Sequence, residues 1–363
     1  VGPDDHPPDA RQQIFDFAHN RGWPVFADIG SGLRTGGPPK LVIPWIEPAF
    51  EVGGLADHRA PEVILRIGRM PTAKAFSQWL TRHHEVPVVL VNSHVETHDF
   101  TGTSAATIQS SPKEALDSLG DGAGRDPEWL VAWERASARA GHAVATALPA
   151  SSETAETVAS LRQLDDGSSV HLASSMPIRH ADGFVGNLEH DIRVLVNRGT
   201  NGIDGTIATT LGESMALDGP AVAILGDIAF LHDAGGLLAA GRSGRNLTLV
   251  VLDNGGGGIF SFLPIADVLP GETFNRLFRT PHRTDIRALA EAAGARVHTD
   301  VEAIQNATRT PGLDVVVLET DMNPVPAFRA AKRAAGAAML AEDHVEEEAA
   351  EGHIAPDQDD QDA

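Results

Sequence analysis

Five short aliphatic runs, at residues 170–174, 192–197, 221–225, 247–252 and 315–319, constrain the fold of this chain more than any other feature of its sequence. Each is β-branched or aliphatic on both faces, the pattern of a strand covered on two sides. Gly- and Ala-rich segments of helical length lie between them. Strands of that kind joined by helices form a doubly wound parallel sheet, with ligands expected beyond the carboxyl ends of the strands. Three of those ends carry polar residues of chemical interest.

The first half alternates in the same way. Residues 23–28, 63–67 and 86–91 read as strands, 11–20 and 72–83 as helices, and 126–147 as an amphipathic helix. Pro149-Ala150-Ser151-Ser152 breaks the pattern. The expected class is α/β with two doubly wound parallel-sheet domains, the first at 1–148, partly linker at 1–10, and the second at 149–340. The stretch 341–363 holds ten Asp or Glu and no Lys or Arg, so a disordered acidic tail is expected there.

Composition narrows the partners. A formal charge of −22 disfavours nucleic acid. No apolar run approaches the ~20 residues of a membrane span, and the N-terminus has no signal-peptide pattern, so a cytoplasmic protein away from membranes is expected. With no cysteine, thiolate metal sites and Cys nucleophiles are excluded. Lysine occurs only at Lys40, Lys74, Lys113 and Lys332, and this arginine bias with the general acidity suggests a high-salt cytoplasm. The chain opens on Val1, in a Pro- and Asp-rich stretch, and an upstream portion is expected.

The strongest local signal pairs Gly226-Asp227, after one run, with Asp253-Asn254 and four glycines, Gly255 to Gly258, after the next. Asp227 and Asn254 are 27 residues apart, about one βαβ unit, so a right-handed crossover brings both to one edge of the sheet. A carboxylate and an amide oxygen there suit Mg²⁺ or Mn²⁺, hard cations that take their remaining ligands from phosphate and water. Either piece alone is commonly a turn or a flexible loop. Together, at this spacing, they read as a metal site.

With those residues the sequence resembles the thiamine-diphosphate-dependent enzymes, whose signature is Gly-Asp-Gly followed one crossover later by Asn-Asn. Ile228 and Asp253 depart from it. Within that superfamily the wording is similar to the synthases that join 2-oxoglutarate to isochorismate in menaquinone biosynthesis. The resembling segments include Met70-Pro71-Thr72-Ala73-Lys74, Ala27-Asp28 with Ser31-Gly32-Leu33-Arg34, and Ser174-Ser175-Met176-Pro177-Ile178-Arg179. They continue with Asn197-Arg198-Gly199-Thr200-Asn201-Gly202-Ile203-Asp204-Gly205, Phe230-Leu231-His232-Asp233, Gly257-Gly258-Ile259-Phe260-Ser261-Phe262-Leu263-Pro264 and Thr280-Pro281-His282.

The resemblance implies the metal ligands Asp227, Asn254 and the Gly256 carbonyl, with thiamine diphosphate contacted by Gly202, Ile203, Gly226, Asp227, Ile228, Ala229, Asn254, Gly256, Gly257, Ile259 and Phe260. Ile203 would wedge beneath the cofactor. It further implies that Lys74, Ser175, Arg179 and Arg198 meet the substrates, 2-oxoglutarate and isochorismate, whose carboxylates suit planar guanidinium groups. Ala75 stands where the family can carry an arginine, so one substrate contact is in doubt. The implied reaction is decarboxylation of 2-oxoglutarate and addition of the succinyl carbanion to isochorismate. It also implies a homo-oligomer in which a pyrimidine-binding domain supplies an activating Glu. That domain is not found in this sequence, so the 363 residues alone are expected not to turn over. Two other readings stay open: an acetohydroxyacid-synthase-like enzyme using pyruvate, and a non-catalytic binding remnant. His94, His98 and His232 are read as structural, because no third ligand accompanies the His94/His98 spacing.

Overall fold

The computed structural model describes residues 1–341 except 5, 95–98, 121 and 123–125. Among them are strands Val25–Phe26 (β1), Val42–Ile43 (β2), Ile64–Ile67 (β3), Val88–Val91 (β4), Ser104–Ile108 (β5), Ser169–Leu172 (β6), Arg193–Val196 (β7), Ala221–Gly226 (β8), Leu247–Asp253 (β9), Arg296–His298 (β10) and Leu313–Glu319 (β11). Every pairing is parallel. The second half forms one six-stranded sheet in the order β10-β11-β9-β8-β6-β7, and the first half forms β1-β2 and β3-β4-β5. The α/β class and strands at the five runs of the second half are as the sequence reads, except that β7, expected to be covered on both faces, is an edge strand with Arg193 exposed and Leu195 and Val196 half-buried. β2, β5 and β10 were not anticipated. β10 and β5 lie at sheet edges and β2 is two residues long, so none carries a continuous apolar run.

Residues 1–10 are not the expected linker. The Gly2 amide donates to the Ile67 carbonyl at 3.0 Å and the Asp28 amide to the Val1 carbonyl at 2.9 Å, which laces residues 1 and 2 between β1 and β3. Helix Pro8–Arg21 then begins inside the same stretch. Its prolines fit because the first helical turn has no intrahelical use for the missing N–H. The acidic stretch after residue 341 lies outside the described residues.

The six-stranded sheet is covered on both faces, as alternation along its strands requires. Val170, Leu172, Val222, Ile224, Val250, Leu252, Val316 and Leu318 pack with helices Glu153–Arg162, Met176–Phe184 and Val325–Leu340. Ala221, Ala223, Leu225, Leu247, Leu249, Val251, Val315 and Val317 pack with helices Thr206–Ala216 and Ala234–Ser243. The first of these clusters runs on into the first half through Ile43, Phe50, Trp79 and Trp133. One apolar core therefore joins the two halves.

A polar clamp reinforces that junction. Arg34, fully buried, donates from Nη1 to the Asp182 carbonyl at 2.8 Å and to Asp182 Oδ1 at 3.2 Å. Its Nε and Nη2 reach the Gly186 carbonyl at 3.2 and 2.7 Å. Asp182 Oδ1 also accepts the Ile29 amide at 2.9 Å. Asp28 caps the turn Ile29–Ser31 through Gly30 and holds the Thr72 amide at 2.6 Å. The run from Ala27 to Arg34 is thus a docking element between the halves.

Candidate functional site

β8 and β9 are hydrogen-bonded neighbours with Gly226 opposite Leu252, so their carboxyl ends emerge side by side. Asp227 follows one and Asn254 the other, and both are buried. Asp227 Oδ1 accepts the Ile228 amide at 2.6 Å, and Oδ2 accepts the Gly256 amide at 2.7 Å. That second bond ties the glycine loop directly to the carboxylate. Burial pushes the Asp227 carboxyl up to about 6; the Asp253 charge acts in the same direction, while the Ile228 and Gly256 amides and His282 oppose it.

Asn254 is held along its length. Its Nδ2 donates to Glu153 Oε2 at 3.1 Å, and its main-chain carbonyl accepts from Arg279 Nη2 at 3.1 Å. Its Oδ1 is buried and has no hydrogen-bond partner among the described residues. A buried acceptor without a donor is costly unless something electropositive completes it. A divalent cation beside a carboxylate does so, and an all-oxygen donor set is what Mg²⁺ or Mn²⁺ prefers. The residues present therefore fit the implied ion.

Gly256 has φ +150°, and a Cβ built there would lie 2.5 Å from the Arg279 carbonyl oxygen. Both the angle and the clearance demand glycine. Gly256→Ala is expected to cost on the order of 1–3 kcal/mol in strain, the usual scale for a side chain forced into such a region. Because the strain is local to the loop, its sharper effect should be weaker metal-dependent diphosphate binding, measured by titration calorimetry.

Two residues absent from the expected ligand set join the site. The Nε2 of His282 lies 3.2 Å from Asp227 Oδ2 and 3.8 Å from Asp253 Oδ1, and ligand atoms of all three residues fall within 4.8 Å of one another. Asp253, standing where the family signature has Asn, thus brings a second carboxylate. His282 was legible only as part of a resembling segment, and Glu153 and Arg279 carried no sequence signal.

The cations gather at the ends of β6 and β7. Arg179 lies in helix Met176–Phe184, and Arg198 lies two residues after β7 ends. Burial lowers the Arg179 guanidinium from its ordinary value, and the neighbouring Arg198 charge adds to this while Glu47 opposes it. Arg179 Nη1 donates to the Ser175 carbonyl, and Arg69 Nη1 donates to the Arg198 carbonyl at 2.9 Å. Ser175 caps the helix with φ +89°, a left-handed conformation unusual for a residue other than glycine. Such strain is characteristic of functional turns.

The other expected residues are placed less tightly. Lys74 is the exposed first residue of helix Lys74–Arg82, and the next amide, that of Ala75, donates to Glu47 Oε2 at 3.0 Å. Gly202 is exposed; Ile203, half-buried before helix Thr206–Ala216, packs on the second core cluster. Gly226, Ile228 and Ala229 lie at the Asp227 turn. Gly257 precedes the 3-10 turn Gly258–Phe262, which holds Ile259 and Phe260, the latter edge-on to Phe278 at 6.1 Å. His94 donates its amide to Asn92 Oδ1, His232 is exposed, and His98 lies outside the described residues. A cavity of about 520 Å³ lies elsewhere: it opens between helix Pro8–Arg21, β1 and β3, lined by Phe17, Trp23, Leu65 and Trp133 among others.

Comparison with known proteins bears on the same residues. The stretch 189–315 matches the family described as thiamine pyrophosphate enzyme, C-terminal TPP binding domain. The chain is 33% identical over 335 residues to 2-succinyl-5-enolpyruvyl-6-hydroxy-3-cyclohexene-1-carboxylate synthase of Listeria monocytogenes serotype 4b, covering 88% of this chain and 57% of that protein. It is 35% identical over 336 residues to the synthase of the same name from Myxococcus xanthus, covering 89% and 56%. For that of Chloroflexus aurantiacus the identity is 33% over 348 residues, covering 88% and 56%. The chain thus spans a little over half the length of these relatives.

Proposed function

We propose that this chain is the metal- and diphosphate-binding portion of a thiamine-diphosphate-dependent synthase that decarboxylates 2-oxoglutarate and transfers the succinyl unit to isochorismate, in menaquinone biosynthesis. The observation that carries the reading is the buried, partnerless Asn254 Oδ1 beside Asp227 at adjoining strand ends. The similarity to synthases of that name supports the substrate pair.

In this reading Asp227, Asn254 and the Gly256 carbonyl hold Mg²⁺ or Mn²⁺, with Asp253 and His282 close enough to assist. When bound, thiamine diphosphate supplies the electron sink for decarboxylation. The Gly255 to Gly258 loop lets the backbone come close to a diphosphate. Arg179 and Arg198, two like charges near enough that Arg198 depresses the Arg179 guanidinium, are suited to receive substrate carboxylates, since their proximity is unfavourable until an anion arrives. The activating Glu comes from a pyrimidine-binding domain, and the working enzyme is a cytoplasmic homo-oligomer sharing sites between subunits.

The test is binding. Thiamine diphosphate titrated into the purified chain should bind with Mg²⁺ or Mn²⁺ and lose its affinity in EDTA; metal-independent binding, or none, would defeat the proposal. On the complete enzyme, Arg198→Gln should lower kcat/KM for 2-oxoglutarate by roughly 10- to 150-fold, because a hydrogen bond to a charged group contributes about 1.5–3 kcal/mol. Carbon dioxide release at varied 2-oxoglutarate reads this directly.

A further inference from the structure

We propose that Glu153 is the positioning residue of the metal site: its carboxylate seizes the Asn254 side-chain NH₂ and thereby turns the Asn254 carbonyl oxygen toward the divalent ion. This rests on the metal reading above and deepens it.

The two ends of an asparagine amide have nearly the same shape, so packing cannot choose between them. Chemistry has to. A carboxylate can only accept hydrogen bonds, and Glu153 Oε2 lies 3.1 Å from the amide nitrogen with both residues buried. Turning the amide over would set oxygen against oxygen and present an NH₂ group to a cation. Each half of that exchange is unfavourable between buried groups, where unmatched polar atoms are costly.

Glu153 is itself fixed in place. It is the first residue of helix Glu153–Arg162, yet it does not cap that helix: the Ser152 side chain does, accepting the Ala155 amide at 3.1 Å. Its own carboxylate is therefore free for another task. His180, fully buried, stands 3.5 Å from Glu153 Oε1 through Nε2, and its Nδ1 is 2.9 Å from Thr154 Oγ1. Hydrogen-bonded through Nδ1 to Thr154, the ring turns Nε2 toward Glu153 Oε1 at a contact distance that is not a hydrogen bond. The chain of contacts runs from Thr154 through His180 and Glu153 to Asn254, whose main chain is held from the other side by Arg279. Only Oδ1 is left open, at the strand end where Asp227 waits. An arrangement of this kind, in which an outer carboxylate sets the direction of an inner ligand, tunes metal affinity.

The decisive experiment titrates Mn²⁺ into the protein in the presence of thiamine diphosphate, by calorimetry, for the unaltered chain, Glu153→Gln and Glu153→Asp, with the metal-free thermal midpoint of each recorded. Glu153→Gln keeps the reach but can offer its own NH₂; Glu153→Asp keeps the charge but falls one methylene short. Both are expected to bind Mn²⁺ tenfold or more weakly while the metal-free midpoint stays close to that of the unaltered chain. If Glu153→Asp binds as well as the unaltered chain, charge alone matters and the positioning role is overturned. Binding by both variants as tight as that of the unaltered chain overturns it as well. If the unaltered chain takes up no Mn²⁺, the metal reading itself fails, an outcome distinct from the other two. Should either variant not fold, a crystal structure of the unaltered chain with Mn²⁺ decides: Asn254 Oδ1 on the ion and Nδ2 on Glu153 is expected, and Glu153 ligating the ion directly would refute the role.

Discussion

Asp227→Ala should reduce metal-dependent thiamine diphosphate binding by more than about a hundredfold, because removing even the outer partners of a metal ligand costs about 10- to 100-fold. The side chain does two jobs that alanine cannot: it offers an anionic oxygen to the ion, and it anchors the glycine loop through the Gly256 amide. Asp227→Asn separates them only in part. Both carboxylate oxygens accept main-chain amides, from Ile228 and Gly256, and an asparagine has a single acceptor oxygen, so one amide must face an NH₂ group. The stability of the metal-free protein should move the other way. Asp227 is buried close to the Asp253 carboxylate, an arrangement whose cost is tolerated for binding. Hence the metal-free thermal midpoint of Asp227→Asn should equal or exceed that of the unaltered chain, while the rise on adding Mg²⁺ and thiamine diphosphate disappears. A variant that still gains thermal stability from the ligands would contradict the assignment of Asp227.

What the sequence disclosed and what it withheld follow from range. Strands buried on both faces must be apolar throughout, so β6, β8, β9 and β11 were legible as runs, and the ends of β8 and β9 could be paired from one crossover's length. Edge strands such as β5, half-exposed and with Ser104 and Thr107 in the ladder, carry no such imprint. The same distinction holds at the site. Asp227, Asn254 and Gly256 belong to turns whose spacing is local, and Arg179 and Arg198 stand near strand ends. Glu153 approaches Asn254 across 101 positions of chain, and no local pattern marks it. Residues 1 and 2 misled for a related reason: a Pro- and Asp-rich stretch looks like a linker, yet its backbone is held by partners on two distant strands.

The junction between the halves yields the other large effect. Arg34→Met is expected to destabilise the protein by about 3–5 kcal/mol, the range found when one partner of a buried ion pair is removed. For a protein of this size that corresponds to a fall in thermal midpoint on the order of 10 °C. Methionine fills much of the volume, so the loss is electrical: Asp182 Oδ1 and two main-chain carbonyls are left facing an apolar chain. Burial and the nearby Asp28 already raise the Asp182 carboxyl to about 8, against the pull of Arg34 and the Ile29 amide. A carboxyl whose folded value is raised binds a proton in the folded state that the unfolded chain has released. Stability must therefore fall as the pH climbs between about 4 and about 8, and removing Arg34, a change that raises the folded value further, should carry that fall to higher pH. Adding Asp182→Asn removes the charge but keeps an acceptor for Ile29, so the double variant should recover part of the loss, with a coupling of about 0.5–3 kcal/mol and a flatter pH profile. Urea midpoints at pH 5 and pH 8 for the two single variants and the double variant would show it. Strict additivity would mean that Arg34 and Asp182 act independently, and that the clamp contributes by packing alone.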